Sequence, residues 1–205
     1  MSFKSSATTI IQPRPAVITL ALSLLVVWAT SCTNTLFKVR PFNALPAMPA
    51  SSASMNVGSL SFRASPLLTD EETQELFESN LQLAGLLPVR LEAVHNSGDS
   101  VEIKKLKFHL TDSAHNEWKL ISAKQAISRI LKANGLSLYN PNARKQFEKD
   151  FRAYEFNLKD PLTHAEGKRQ GFLIFQSAKK EPVASPKDLT LAVEGLAQPV
   201  SLKLN

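Results

Sequence analysis

A chain of 205 residues with 43% hydrophobic and 20% charged residues can bury a core, and its length suits one or two domains. The formal charge of +6 and pI near 9.5 come from scattered Lys and Arg rather than a cluster, which argues against nucleic acid as a partner. The chain opens with a polar stretch carrying only Lys4 and Arg14 as charges, then an apolar run from Val17 to Ala29 broken by Thr19 and Ser23. That run is short for a membrane span, which needs ~20 apolar residues, and suits the core of a secretory signal.

Ala29-Thr30-Ser31-Cys32 follows at once, and Cys32 is the only cysteine in the chain. Small residues before a cysteine resemble the lipobox of bacterial lipoproteins, although Ala29 stands where that family prefers Leu. The resemblance implies diacylation of the Cys32 thiol and cleavage just before it. Residues 1–31 are therefore expected to be a signal peptide and Cys32 the lipidation site. Residues 32–54, with Pro41, Pro46 and Pro49 among Ala and Ser, are expected to be a flexible tether. Residues 55–205 would form the folded domain.

Within that domain the dominant period is two. Val57, Leu60 and Phe62 suggest a first strand. Val89, Leu91, Ala93 and His95 alternate with Arg90 and Glu92 in a second, which starts after Pro88. Between them, Thr69 and Glu72 form a capping box for a helix over 70–83 that Gly85 can end. Asn96-Ser97-Gly98-Asp99 is turn chemistry. Val101 and Ile103 fall out of phase with Leu106, Phe108 and Leu110, and a bulge at Lys104-Lys105 would return both sets to one face.

After a turn at 112–116, Trp118 and Leu120 begin another strand. A helical insertion at about 122–156 follows. Ser122 with Gln125 caps its first helix, whose stripe is Ala123, Ala126, Ile127, Ile130 and Leu131. Asn140-Pro141 opens its second, with Phe147, Phe151 and Tyr154 on one face. Gly171–Phe175 is a continuous apolar run, as expected of a strand covered on both sides. Leu189, Leu191 and Val193, then Val200, Leu202 and Leu204, give two closing strands. The expected class is mostly β, an immunoglobulin-like β-sandwich with a short helix before the second strand and the helical insertion.

Chemistry-bearing patterns are sparse. His109, Asp112 and His115 surround a turn, but no further Cys or His supports a zinc site. His95 reads as a half-buried side chain whose polar edge finds a backbone partner. The chain has no Gly-x-Ser-x-Gly elbow and no glycine-rich phosphate loop. Carboxylate pairs such as Glu148 and Asp150 fall on predicted helices, where solvation explains them. Lys104, Lys105 and Lys107 read as a solvated strand face that discourages edge pairing. The stripe of Phe147, Phe151 and Tyr154 reads as core. No catalytic, cofactor-binding or metal-binding residue is assigned, and no cofactor is expected.

The segment Leu86–Asn96, the strand end Leu110-Thr111-Asp112 and Gly171–Phe175 resemble a loose set of bacterial envelope proteins, many of them lipidated. That resemblance spans about Leu67 to Gln176 and rests on core and turn residues. It implies an immunoglobulin-like sandwich and no particular activity. This sequence departs from it at Ala114-His115-Asn116, where such proteins turn on a glycine. The functional expectation is a non-enzymatic, exported lipoprotein, held to the membrane through Cys32 and binding another envelope component. Thr33 after the cysteine favours the outer membrane, if the host has two. A carrier of a small apolar ligand in a cleft between sheet and helices is the alternative, and an envelope hydrolase a third reading.

Overall fold

Alternation fixes the strands, and the break in its phase between Val57 and Leu60 proves to be a turn. The structure, a computed structural model, describes residues 37–136, 140–184 and 186–205. Strands β1 (Ala53–Val57) and β2 (Leu60–Pro66) form an antiparallel hairpin through Gly58 and Ser59, with Gly58 at φ +57. Val57 and Leu60 pair directly across the hairpin and therefore share a face. The single strand expected over these residues is two.

The remaining strands are β3 (Leu86–His95), β4 (Lys107–Thr111), β5 (Glu117–Ile121), β6 (Lys168–Gln176), β7 (Thr190–Glu194) and β8 (Val200–Lys203). They form one antiparallel sheet in the order β1-β2-β3-β6-β5-β4-β7-β8. Its outermost strands, β1 and β8, come alongside each other, so the sheet is nearly closed into a barrel. The mostly β class is as expected. The two separate sheets of a sandwich are not what the ladders describe, and β5 is the reason. Its Glu117 and Trp118 pair with β4, while Lys119, Leu120 and Ile121 pair with β6, so one strand joins both halves.

Among the described residues, three helices decorate the sheet. Helix α1 (Asp70–Phe77) carries the Thr69/Glu72 capping box, and α2 (Ala123–Ala133) carries the Ser122/Gln125 box. Helix α3 (Pro141–Arg152) starts on Asn140, whose side chain accepts from the Asn142 N–H. α2 and α3 lie between β5 and β6, where the insertion was expected. α1 is shorter than the expected 70–83: it stops at Phe77, and Glu78 takes the left-handed conformation at φ 51. The chain then doubles back so that Gln82, buried, bonds the start of the helix. Its amide donates to the carbonyls of Thr69 and Leu67 at 3.1 and 3.2 Å, and it accepts from the Thr73 hydroxyl at 3.0 Å. At Lys104-Lys105 the expected bulge is instead a 3-10 turn, Ile103–Lys105, which returns Ile103, Leu106 and Phe108 to the interior.

Two apolar clusters lie on opposite faces of the sheet. The barrel interior holds Phe62, Leu91, Leu110, Phe175 and Leu191 among others. The outer face of β3 and β6 is covered by the helices, with Phe77, Ile127, Phe147, Phe151 and Tyr154 packed on Leu86, Phe172 and Ile174. β6 thus sends Leu173 and Phe175 inward and Phe172 and Ile174 outward, which accounts for its unbroken apolar run. Gly171 at its head has no alternative. A Cβ there would lie 2.6 Å from the Cα of Phe156, where the chain leaving α3 crosses β6. That crossing is fastened by Phe156 N–H to Phe172 O (3.0 Å) and Phe172 N–H to Tyr154 O (2.6 Å).

The described part of the expected tether is not a tether. Val39 and Met48 are buried, Phe37 stacks edge-on with Phe147 at 5.1 Å, and Phe42 with Tyr154 at 5.2 Å. Arg40 N–H donates to Leu76 O at 2.8 Å, and the Tyr154 hydroxyl to Arg40 O at 2.6 Å. Further on, Arg90 and Arg63 donate to the carbonyls of Pro46 (2.7 Å) and Pro49 (2.9 Å). A proline-rich stretch offers carbonyls without competing N–H groups, so two arginines of the sheet can hold it as a strap. The folded unit therefore begins well before the expected boundary at residue 55.

Candidate functional site

Cys32, the predicted lipidation site, lies outside the described residues. Among the described residues, no helix is long and apolar enough to cross a membrane.

A hollow lies where β5 and β6 separate. Their pairing ends at Ile121 and Ile174, because Ser122 leaves the sheet to cap α2. The chain returning from α3 closes the gap only in part, since it pairs with β6 just around Phe172. A cleft of about 660 Å³ remains. Its apolar wall is Leu120, Ile121, Phe156, Leu158, Phe172 and Ile174, and its rim carries Lys124, Arg152, Lys159 and Glu155. Glu155 is engaged, accepting from the Ala123 N–H at the start of α2 at 2.9 Å. Arg152 lies 3.8 Å from Glu148, a loose contact, and neither Lys124 nor Lys159 pairs with a described carboxylate. Such a volume is within the range of small-ligand pockets, and the rim is net cationic over an apolar floor.

The other residues singled out in the sequence are dispersed. His109 sits between Glu117 (3.3 Å) and Glu194 (3.8 Å), while His115 contacts the carbonyl of Ser113 at 3.3 Å. Asp112 is occupied by its own turn, accepting from the N–H groups of Ala114 and Asn116, the Asn116 amide and the Trp118 indole. Burial opposes its charge, but those hydrogen bonds outweigh it and hold the carboxyl below its usual range. His115 takes the left-handed conformation at φ 59 in the turn that follows Asp112. Among the described residues, no group of three or more His, Cys, Asp or Glu is placed to hold a metal ion.

His95 departs from expectation. It is 1% exposed, and neither ring nitrogen has a hydrogen-bond partner; its ring packs edge-on against His164 at 6.0 Å. Lys104 and Lys105 stand on the 3-10 turn rather than on a strand, with Lys104 paired to Glu102 at 2.9 Å. Phe147, Phe151 and Tyr154 are each 1% exposed, so the aromatic stripe is core.

The sequence offered a cleft between sheet and helices as its alternative but did not name the lining, because the walls come from β5, β6 and the insertion's exit, brought together only by the fold. A usable signal was Ser122, a helix cap placed directly after a strand, which forces β5 off its neighbour. Comparison of the chain with protein-family models, with curated proteins and with solved structures finds no match.

Proposed function

We propose that this protein is an exported lipoprotein, diacylated at Cys32, whose β domain is a non-catalytic binding module for another component of the cell envelope. The observation that carries this reading is an apolar run ending in small residues at a lone cysteine. Its placement in the outer membrane, where the host has two, rests on Thr33. The packing of Phe37 and Val39 adds a constraint. Five residues from Cys32 to Phe37 can span at most about 18 Å when extended, so an anchored domain would ride close to the bilayer rather than on a long leash.

Cys32→Ala should release the protein from membranes or leave its precursor uncleaved, because two acyl chains make attachment stable and the thiol is their only attachment point. Metabolic labelling with palmitate checks this. Label still incorporated into Cys32→Ala would overturn the assignment.

The cleft favours a second reading, a carrier for an amphiphile with an apolar body and an anionic head. A fluorescent fatty-acid probe should then bind, and Lys124→Glu with Arg152→Glu should weaken it by about tenfold, as expected when roughly 1.4 kcal/mol of attraction is lost. Unchanged affinity in that double variant would remove this reading.

A further inference from the structure

Arg90 is the least satisfied charged group described in the protein. It lies mid-way along β3 on the sheet's outer face, opposite Ser65 of β2 and Phe172 of β6, and is 6% exposed. A guanidinium removed from water is costly unless a partner offsets the loss. No described carboxylate lies within 4 Å of it: Glu92, the nearest in sequence, faces Lys168 at 3.4 Å and Arg63 at 3.8 Å. Its acceptors are both neutral, Pro46 O at 2.7 Å and Gln170 Oε1 at 3.2 Å, and its buried Nε–H has none. Burial accordingly lowers its affinity for the proton, with Glu92 opposing and Arg63 adding to the effect.

Arg169 shows how the same fold treats a buried arginine with a structural task. At 8% exposure its guanidinium makes five hydrogen bonds, to the carbonyls of Asn157, Asp160 and Pro161 and, two-pronged, to the Glu166 carboxylate at 2.8 and 2.6 Å. Arg90 lacks any such carboxylate.

Beside Arg90 is a pocket of about 160 Å³ under the 45–49 strap. Leu45, Pro46, Leu67, Leu76 and Phe172 supply apolar walls, and Arg40 is a second cation at its edge. Its two carboxylates are already engaged. Glu72 accepts from the N–H groups of Leu68 (2.7 Å) and Thr69 (3.0 Å), and Glu75 pairs with Arg40 at 2.9 Å.

We propose that this pocket binds a short aliphatic carboxylate, its carboxylate received by the guanidinium of Arg90 and its apolar body by the strap and α1. A planar carboxylate can take two parallel N–H groups of a guanidinium at once, which two separate neutral acceptors do not reproduce. The volume lies well below the ~300–1,000 Å³ typical of drug-sized ligands, which excludes a long acyl chain. This site is separate from the cleft beside β5 and does not depend on lipidation.

The test is thermal unfolding of the purified full chain in detergent, with isovalerate and with isovaleramide, its uncharged isostere. Isovalerate should raise the unfolding temperature saturably, and isovaleramide should not. Arg90→Met should abolish the isovalerate shift, whatever the loss of its bond to Pro46 O does to the ligand-free protein. Arg90→Lys, which keeps the charge but loses the fork, should weaken binding at least tenfold and serves if Arg90→Met does not fold. The proposal is overturned if acetate, isovalerate and hexanoate all fail to give a saturable shift, or if the amide matches the acid. It is also overturned if either variant keeps the parent's response.

Discussion

Phe151→Ala is expected to cost about 3–5 kcal/mol, the range for truncating a buried aromatic side chain. The ring is 1% exposed and sits 5.1 Å from Phe77 and 5.7 Å from Phe147. Phe77 in turn meets Tyr154 at 5.2 Å and Phe172 at 5.8 Å, so Phe151 belongs to a linked set of rings joining α1, α3 and the outer face of β6. Removing it leaves a void with rigid walls, because strands on one side and capped helices on the other limit collapse. A domain of this size is stable by only about 5–15 kcal/mol, so the loss is a large share. Chemical denaturation should show a lower midpoint with an unchanged slope. Glu148→Ala on the solvent side of the same helix breaks the 2.9 Å contact with Arg144 and should change stability by no more than about 1 kcal/mol. A cost below ~0.5 kcal/mol for Phe151→Ala, typical of surface sites, would show that α3 does not depend on this packing.

Local chemistry was well written in the sequence. Both capping boxes, the strand alternation and the two-sided Gly171–Phe175 run appear in the structure, because each depends on residues close in the chain. What the sequence did not show was pairing at a distance. Nothing in Glu117–Ile121 states that its two ends join different neighbours, yet that choice makes one sheet of the expected two. The short α1 followed from Gln82 bonding back to Thr69 and Leu67, a contact that helical periodicity cannot report. Arg90 alternates with apolar neighbours and so reads as solvent-facing. It is buried because a strap more than forty residues upstream lies over it. Phe37, Val39 and Phe42 were the available signal, since three apolar side chains in a supposed linker need something to cover them.

That strap sets the last prediction. A chain beginning at Phe37 should fold like the full domain, whereas one beginning at Met55, the boundary suggested by composition, should be markedly destabilised and prone to associate. The longer deletion removes Val39 and Met48, both buried, together worth about 3–6 kcal/mol at ~1.5–3 kcal/mol each. It also removes the edge-on ring partners of Phe147 and Tyr154, and the carbonyls that receive Arg63 and Arg90. Finally it takes Ala53 and Ser54 from β1, whose partners in β2 are Ala64 and Arg63. That end of β2 then loses its neighbour, and an unpaired strand edge is a template for association with another chain. Size-exclusion chromatography and thermal circular dichroism compare the two. The Phe37 chain should be monomeric with a single cooperative transition, and the Met55 chain should melt lower and elute partly as larger species. Equal melting temperatures and a monomeric Met55 chain would show that the strap rests on the domain without stabilising it.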